Sequence, residues 1–262
     1  MAERLLTVTS NRAVNDEYHH LSVAGLDPGT TGEPGQFFHL LCPPTGTDSP
    51  FLRRPMSIYG SDSSHGTVEF LYKVTGAGTR GLASLREGDH LNVLGPLGVG
   101  FRISPSMRHI AVLGRGVGLA TLAPLAKAAK ELGVKTTALL SARQPDLLMS
   151  AQRFQLYGAD VITVTDSERT SDMRNVEALL RQLHSDDPLS SFFTCGSRRI
   201  TSMLQRLSRV LNIPGQVALE QQMACGLGMC FCCVKSFRTE NKTEHRRVCV
   251  QGPVFDLTEV LP

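Results

Sequence analysis

Hydrophobic and polar residues alternate along much of the first hundred residues, as they do in strands that bury one face. The clearest example is 67–74, where every second residue is hydrophobic. Further short strands are predicted at 36–42 and 90–94, and turns rich in Asp, Ser, Pro and Gly separate these segments. Residues 1–103 are therefore predicted to form a small β-barrel or β-sandwich.

The hydrophobic period changes near residue 104. Short apolar runs predict buried strands, and leucines at helical spacing predict helices between them. Strands that alternate with helices form a parallel sheet covered on both faces, so 104–215 is predicted to be a Rossmann-like α/β domain. Residues 216–262 form a small third module rich in cysteine. The predicted strands are 109–113, 134–140, 160–165 and 192–195, and the predicted helices are 119–129, 172–183 and 200–211.

Composition narrows the class of protein. With 41% hydrophobic residues, 19% charged residues and a formal charge of +3, the chain has an ordinary globular composition and too little charge to indicate nucleic-acid binding. The most apolar stretch, 110–129, approaches the length of a membrane span, but Arg115, Pro124 and Lys127 interrupt it, so no span is predicted. The first twenty residues lack a hydrophobic signal-peptide core, and we therefore expect a cytoplasmic protein.

Five of the seven cysteines lie within 25 residues near the C-terminus. Four of them follow C-x4-C-x2-C-x15-C, the plant-type spacing of a [2Fe–2S] centre. A structural zinc site usually pairs two C-x2-C knuckles, and disulfides are unexpected without export, so both alternatives are weaker. Cys232 is interpreted as a non-ligand thiol, although spacing alone also allows it to replace Cys233. The predicted ligands are Cys225, Cys230, Cys233 and Cys249.

Two segments of the predicted barrel carry candidate cofactor contacts. In Arg54–Ser57, the guanidinium of Arg54 is a cationic fork suited to a pyrophosphate, and Ser57 offers a hydroxyl to a ring nitrogen. At 76–79 a strand ends in Gly-x-Gly-Thr, which lets backbone N–H groups approach a phosphate. Each motif alone is weak, since a basic pair before a proline is usually a solvated turn. Together in one small β domain they are much more specific.

The α/β domain has two glycine-containing turns at the carboxyl ends of strands, where ligands of such sheets bind. Gly114, Gly116 and Gly118 follow a strand and open a helix, as at a nucleotide phosphate site, although an ordinary tight turn explains them equally well. Cys195 and Gly196 end another strand, and Cys195 is a candidate neighbour of a nicotinamide. An isolated cysteine at such a place is more often simply buried.

Taken in order, these segments resemble the electron-transfer subunits of dihydroorotate dehydrogenase B, which belong to the ferredoxin reductase-like flavoproteins. The resemblance covers nearly the whole chain, and the cysteine segment ending in Gly-Pro-Val-Phe is its most specific part. It implies an N-terminal flavin-binding β-barrel, a pyridine-nucleotide domain and a C-terminal [2Fe–2S] module. The segments that carry it are 54–57, 73–79, 94–98, 195–196, 223–230 and 249–255.

The resemblance implies three redox groups, namely FAD, a [2Fe–2S] cluster and NAD(H). Flavin would convert between the hydride chemistry of NAD(H) and the single electrons of the cluster, so no acid–base catalytic residue is predicted. Cys195 would border the hydride-transfer face. The positions implied to contact FAD are Arg54, Pro55, Met56, Ser57, Leu71, Tyr72, Lys73, Gly76, Gly78 and Thr79.

The resemblance also implies a partner, a catalytic subunit that carries FMN and oxidises dihydroorotate. Two alternatives remain: a subunit of the same build in a sulfide dehydrogenase or ferredoxin:NADP oxidoreductase, and a non-catalytic redox sensor. The sequence departs from the family pattern at Arg115, which stands where a glycine is usual, and at 166–169. The basic segment 235–247 is interpreted as a solvated loop, with a docking surface as the alternative.

Overall fold

The computed structural model describes residues 2–46, 48–240 and 242–261. Within these residues the chain forms a seven-stranded antiparallel sheet, a six-stranded sheet and a two-stranded hairpin. The elements of the first part are β1 (Ala2–Ala13), β2 (Tyr18–Ala24), β3 (Phe37–Leu40), β4 (Arg54–Ser57), β5 (Gly60–Asp62), β6 (Thr67–Lys73), α1 (Ala77–Ala83) and β7 (His90–Leu97).

The seven-stranded sheet closes on itself through one segment, 54–62. The strand order is β4-β3-β7-β1-β2-β6-β5, so β4 and β5 pair with opposite edges although only two residues separate them. The amide of Ile58 donates to Gln36 O (3.1 Å), and that of Tyr59 donates to Glu69 O (2.8 Å). The predicted β-rich first part is confirmed. Side chains that fill its interior include Leu6, Val8, Leu21, Phe38, Leu40, Val68, Phe70, Tyr72 and Val93.

The second sheet is built as the alternating pattern predicts. Its strands lie in the order β10 (Asp160–Thr165), β9 (Lys135–Ala142), β8 (His109–Arg115), β11 (Ser191–Cys195), β12 (Gly215–Ala218) and β15 (Val254–Asp256), with the first five parallel and β15 antiparallel to β12. The boundary predicted between the second and third parts of the chain, at 215/216, lies inside β12. The C-terminal part of the chain adds β15 to this sheet, so the second and third parts share it. Its elements are β8 (His109–Arg115), α2 (Gly118–Glu131), β9 (Lys135–Ala142), α3 (Ala151–Leu156), β10 (Asp160–Thr165), α4 (Met173–Asp186), β11 (Ser191–Cys195), α5 (Arg198–Leu211) and β12 (Gly215–Ala218).

The cysteine-bearing part is compact and packs on both other parts. It contains β13 (Val234–Thr239), β14 (Lys242–Arg247), α6 (Val248–Gln251) and β15 (Val254–Asp256). The segment 235–247, interpreted as a loop, is instead an antiparallel hairpin in which Phe237 is fully buried beneath Arg246. No helix in the described ranges is long and apolar enough to cross a membrane.

The outer face of the barrel is covered where it meets the cysteine-bearing part. Phe37 on β3 and Leu97 on β7 belong to one apolar cluster with Met223, Cys233 and Phe255. Adjacent residues of β3 point the other way, into the barrel, which explains why all four residues of this strand are buried. Strand β3 therefore stands between the barrel core and the cysteine loop.

Candidate functional site

A cavity of about 390 Å³ opens between the barrel, the start of α2 and the segment 219–223, a volume in the usual range for small-molecule sites. Seven of the predicted FAD contacts line it, and the remaining walls come from α2 and the segment that leads to the cysteines. The predicted residues in its wall are Pro55, Met56, Ser57, Leu71, Tyr72, Lys73 and Thr79.

A second, more open cavity of about 670 Å³ shares Pro55, Glu220 and Met223 with the first. Arg54 lines it and lies directly on α1, because a Cβ placed on Gly78 would be 2.9 Å from Arg54 Nε. The structure thus brings the two weak motifs of the barrel together. The two cavities together form one groove. Its first end is a largely apolar pocket that fits a flavin ring, and its other end has the Arg54 guanidinium beside the glycine turn, which fits the pyrophosphate.

Two predicted FAD contacts, Thr79 and Tyr72, bond through their hydroxyl groups to other residues of the barrel. The hydroxyl of Thr79 accepts hydrogen bonds from the amides of Thr75 (2.9 Å) and Gly76 (3.1 Å) and donates to Gly76 O. It therefore caps α1 instead of offering its proton to a phosphate. The hydroxyl of Tyr72 donates to Asn11 Oδ1 (3.1 Å), and burial raises the pKa of this phenol.

The two glycine turns of the α/β domain pack against each other. A Cβ on Gly118 would lie 2.5 Å from Cys195 O, and a Cβ on Gly196 would lie 3.0 Å from Arg115 O. A Cβ on Gly114 would meet Leu119 at 2.7 Å. Close packing within the protein therefore explains these three glycines. Gly116, with φ of +56°, lines a small cavity of about 170 Å³ together with Lys73, Arg115 and Arg143.

Arg115 does not lie over the glycine turn. Its guanidinium contacts Asp166 with two bonds (Nη2–Oδ2 2.6 Å and Nη1–Oδ1 3.1 Å) and donates to Ser141 Oγ (2.9 Å). Hydrogen bonds from Arg115 and Ser171 lower the pKa of Asp166 below its usual value. The two departures from the family pattern, at Arg115 and in 166–169, therefore form one ion pair.

Cys195 is buried behind the cavity wall, with 1% of its surface exposed. Burial raises the pKa of this thiol, and the neighbouring Thr121 faces the cavity. Cys195 is therefore a neutral thiol that reaches the cavity through Thr121.

Glu220 was not identified from the sequence. It lines three adjacent cavities, including a third of about 250 Å³ beside Gly196 and Ser197, and burial raises the pKa of its carboxyl group. Its position is the sole available signal, since it is the one acidic residue between β12 and the end of β13.

The predicted cluster ligands divide into an outer and an inner pair. Cys225 and Cys230 lie on the surface loop, whereas Cys233 and Cys249 are 2% and 1% exposed and adjacent, with the amide of Cys249 donating to Cys233 Sγ (3.4 Å). Within the described residues no three His, Cys, Asp or Glu side chains converge as they would on one ion. The four ligands of a [2Fe–2S] cluster are divided between two irons, so they need not converge on one point as the ligands of a single ion do.

The cysteine loop is shaped to hold an anionic sulfur. Burial raises the pKa of Cys225, but backbone N–H groups, including those of Leu227 and Cys230, outweigh this effect and lower the pKa to about 6. The amide of Leu227 lies 3.3 Å from Cys225 Sγ. Gly226 and Gly228 have φ of +70° and +80°, which glycine adopts without strain. The loop thus favours a thiolate at its outer edge.

The structure separates Cys232 from Cys233. Cys232 is exposed, lines the groove beside Arg54, and its thiol lies 3.7 Å from Gln222 O. Cys233 points inward to Cys249. This arrangement supports Cys233 as the ligand.

The described fold, a closed antiparallel barrel followed by a parallel α/β sheet with a groove between them, is that of the ferredoxin reductase-like flavoproteins. An NADH-dependent reduced ferredoxin-NADP oxidoreductase structure superimposes with a TM-score of 0.81 at 25% identity, over 98% of this chain and 90% of that one. Ferredoxin-NADP+ reductase from Plasmodium falciparum has the same fold, with a TM-score of 0.62 at 11% identity over 79% of this chain and 89% of that one.

Sequence relatives define the family more narrowly. Residues 220–261 match the iron–sulfur cluster binding domain of dihydroorotate dehydrogenase B. The electron transfer subunit of dihydroorotate dehydrogenase B (NAD(+)) from Bacillus caldolyticus is 31% identical over 98% of this chain and 97% of its own length, and that from Streptococcus pneumoniae is 33% identical over 84% and 86%. The chain belongs to this family of electron transfer subunits. The predicted resemblance and fold class are confirmed.

Proposed function

We propose that this chain passes electrons between NAD(H) and a dehydrogenase subunit, with FAD and a [2Fe–2S] cluster as its own redox groups. The observation that carries the proposal is the groove that runs from Ser57 past Arg54 to Cys232, beside the cysteine loop. Family membership supports the same cofactor set. Flavin exchanges two electrons with a nicotinamide and one at a time with an iron–sulfur centre.

The barrel side of the groove binds and orients the flavin in this proposal. Arg54 and the turn at Gly78 bind the pyrophosphate, and Ser57 with the backbone of β6 holds the ring. Glu220, at the junction of three cavities, has a carboxyl pKa raised by desolvation and is the proposed proton holder beside the ring. Cys195 lies behind Thr121, which lines the same cavity as Glu220. In this proposal Cys195 fixes the cavity wall against which a nicotinamide stacks.

NAD(H) binds at the carboxyl edge of the parallel sheet, according to the position of the glycine turns. The small cavity next to Gly116 is lined by Lys73, Arg115 and Arg143 and by Glu17, which pairs with Lys73 (2.7 Å) and Arg143 (2.6 Å). The excess of cations over carboxylates in this lining suits an anionic dinucleotide. In many dinucleotide-binding sheets an acidic residue at a strand end bonds the ribose 2′-hydroxyl of NAD(H). Strand β9 ends without an acidic residue. The choice between NAD(H) and NADP(H) therefore rests on these cations.

The proposed exit for electrons is the surface around the outer cysteines. Met229 and Phe231 are 78% and 63% exposed, and Leu227 and Val250 add further apolar surface. The guanidinium of Arg247 stacks 5.2 Å from the ring centroid of Phe231. Exposed aromatic, Met and Arg side chains of this kind are typical of protein interfaces. We assign this surface to a catalytic dihydroorotate dehydrogenase subunit, which the resemblance of the sequence implies to carry FMN.

Anaerobic titration of the purified chain with NADH tests the proposal. Flavin absorbance should bleach first, and the signal of a reduced [2Fe–2S] cluster should follow. The isolated chain should reduce an artificial acceptor but should not oxidise dihydroorotate, for which it needs its partner. Turnover of dihydroorotate by the chain alone at enzyme-like rates, about 1 to 1000 per second, would contradict the subunit assignment.

A second function is favoured by one observation, the 0.81 TM-score to the NADH-dependent reduced ferredoxin-NADP oxidoreductase. In that case the partner is a ferredoxin:NADP oxidoreductase subunit. Native purification discriminates between the two, because the partner that remains bound either oxidises dihydroorotate or reduces NADP+. A bound flavin and cluster that NADH fails to reduce would indicate a redox sensor. A cytoplasmic location stays a prediction.

A further inference from the structure

His39, on β3, is fully buried against the cysteine loop. A Cβ placed on Gly226 would lie 2.9, 3.0 and 3.1 Å from its Cε1, Nε2 and Nδ1 atoms. The whole edge of the imidazole thus faces the residue that follows Cys225. On its other side the ring contacts Phe37, with centroids 5.8 Å apart, and Phe37 lines the proposed flavin cavity. His39 therefore lies between the flavin cavity and the cysteine loop.

Neither ring nitrogen of His39 has a hydrogen-bond partner among the described residues. His109 provides a comparison within the same chain, because it is 1% exposed and both of its nitrogens are bonded, to Asp187 O and to Thr137 Oγ1. Buried polar groups in proteins are nearly always paired, so the unpaired nitrogens of His39 indicate a bound group beside the ring. The group that belongs beside Gly226 is the iron–sulfur cluster.

The chemistry of the two partners matches. A neutral imidazole always carries one N–H donor, whereas the sulfurs of a [2Fe–2S] cluster are acceptors that gain negative charge on reduction. Hydrogen bonds to such sulfurs stabilise the reduced form and raise the reduction potential. A cysteine loop whose glycine leaves room for an imidazole allows this donor to approach, and any side chain at 226 would displace it.

We propose that His39 donates a hydrogen bond to a sulfur on the Cys225 side of the cluster and thereby raises its reduction potential. This inference rests on the proposed function, because it requires the cluster to be present. His39 acts as a potential-tuning residue contributed by the barrel, so the barrel sets the electron affinity of a cluster whose ligands all come from another part of the chain.

An EPR-monitored redox titration of the loaded protein tests this. His39→Leu removes the donor and fills similar space, and it should shift the equilibrium constant for one-electron reduction about tenfold toward the oxidised cluster, which is 59 mV. His39→Gln keeps an N–H and should restore much of the shift. His109→Leu is the matched control, since it removes a buried histidine far from the cysteines and should leave the cluster potential unchanged. The same potential in wild type and His39→Leu would overturn the inference.

A spectroscopic measurement on the wild-type protein covers the case in which His39→Leu fails to fold or load. With ¹⁵N-histidine, pulsed EPR of the reduced cluster should show a nitrogen coupling and an exchangeable proton coupling, and both should persist in His109→Leu. Absence of both couplings would overturn the inference even with an intact cluster. Failure of the proposed function is distinct from either result, since it would appear as a purified chain without any [2Fe–2S] signal.

Discussion

The guanidinium of Arg115 is paired with the carboxylate of Asp166 across the ends of β8 and β10, with N–O distances of 2.6 and 3.1 Å. This pair holds the side chain over the end of β9, where Nη1 also donates to Ser141 Oγ (2.9 Å). The arginine that stands in place of a glycine is thus held by Asp166, and its guanidinium lies at the edge where a dinucleotide is proposed to bind.

We expect Arg115→Ala to raise the KM for NADH about tenfold, the equivalent of one charged hydrogen bond, with FAD and cluster contents unchanged. Steady-state reduction of an artificial acceptor measures this. Asp166→Asn is the control, because it keeps the arginine and removes the carboxylate, and its KM should not rise. A lower KM in Arg115→Gly would show that the arginine obstructs the nucleotide.

Arg54→Ala should weaken FAD binding by about tenfold to a hundredfold, since one charge-assisted contact to the pyrophosphate is lost. Fluorescence of flavin released on dilution gives the dissociation constant. Arg86→Ala, which changes an exposed arginine of the same domain, should bind FAD normally. Equal affinity in the Arg54 and Arg86 variants would remove Arg54 from the flavin site.

Serine substitutions distinguish the cysteines that bind the cluster from a cysteine that only lies near it. Cys225→Ser, Cys230→Ser, Cys233→Ser and Cys249→Ser should each lose the [2Fe–2S] absorbance and retain FAD. Cys232→Ser should keep a normal cluster, because its thiol lies in the groove and not beside Cys249. Iron content per chain and visible spectra provide the measurement, and a normal spectrum in the Cys249 variant would refute the ligand set.

Glu220→Gln should retain both redox groups and lose the pH dependence of flavin reduction. Because desolvation by the cavity walls raises the pKa of Glu220, its proton is held to a higher pH than on an ordinary glutamate, and it is released as pH rises through that raised pKa. Stopped-flow rates with NADH should therefore fall with rising pH in the wild type and stay flat in the variant. Parallel pH profiles in both proteins would exclude this group as the proton holder.

Arg153 joins α3 to the barrel, and Arg153→Ala should cost about 2 kcal/mol, allowing for partial exposure. Its guanidinium bonds Glu69 (2.6 Å) and stacks 4.0 Å from the Tyr59 ring centroid. Arg206→Ala, which breaks a 3.8 Å surface pair, is the control and should change the melting temperature little.

The effect of Arg153→Ala depends on pH. Burial raises the pKa of Glu69, but His20 and Arg153 outweigh it and lower the pKa to about 2. A lowered folded-state pKa means that the stabilisation is complete above the ordinary carboxyl pKa and is lost as pH falls toward 2. The difference in melting temperature between wild type and variant should therefore shrink below about pH 4. A difference independent of pH would show that ring stacking, and not the ion pair, stabilises the contact.

Periodicity predicted the buried elements well because burial itself creates the pattern. Strand β10 spans 160–165 as predicted, and β6 differs from its prediction by one residue. Strand β1 was missed because twelve residues rich in charged and hydroxyl side chains, with a register shift between Val8 and Ser10, lack a clean alternation. The hairpin 235–247 was missed for the same reason, since its buried residue is a single phenylalanine.

The candidate site was predictable where the chemistry is local to a motif. Arg54–Ser57, the turn at Gly78 and the cysteine spacing each carry their own signal. His39 carries none and Glu220 only its isolated position in the sequence, because the packing of His39 against Gly226 and the place of Glu220 at the junction of the cavities arise only in the fold. Sequence spacing also left Cys232 and Cys233 equivalent, and only their opposite directions in the fold separate them.

The segment 54–62 closes the barrel and also forms one wall of the groove. A ligand bound in the groove stabilises the closed barrel, because the segment cannot separate from β3 and β6 without losing the ligand's binding free energy. Before a flavin is bound, the seam opens more often and exposes two strand edges that can pair with other chains. Supply of flavin during synthesis should therefore decide how much of the newly made chain escapes aggregation.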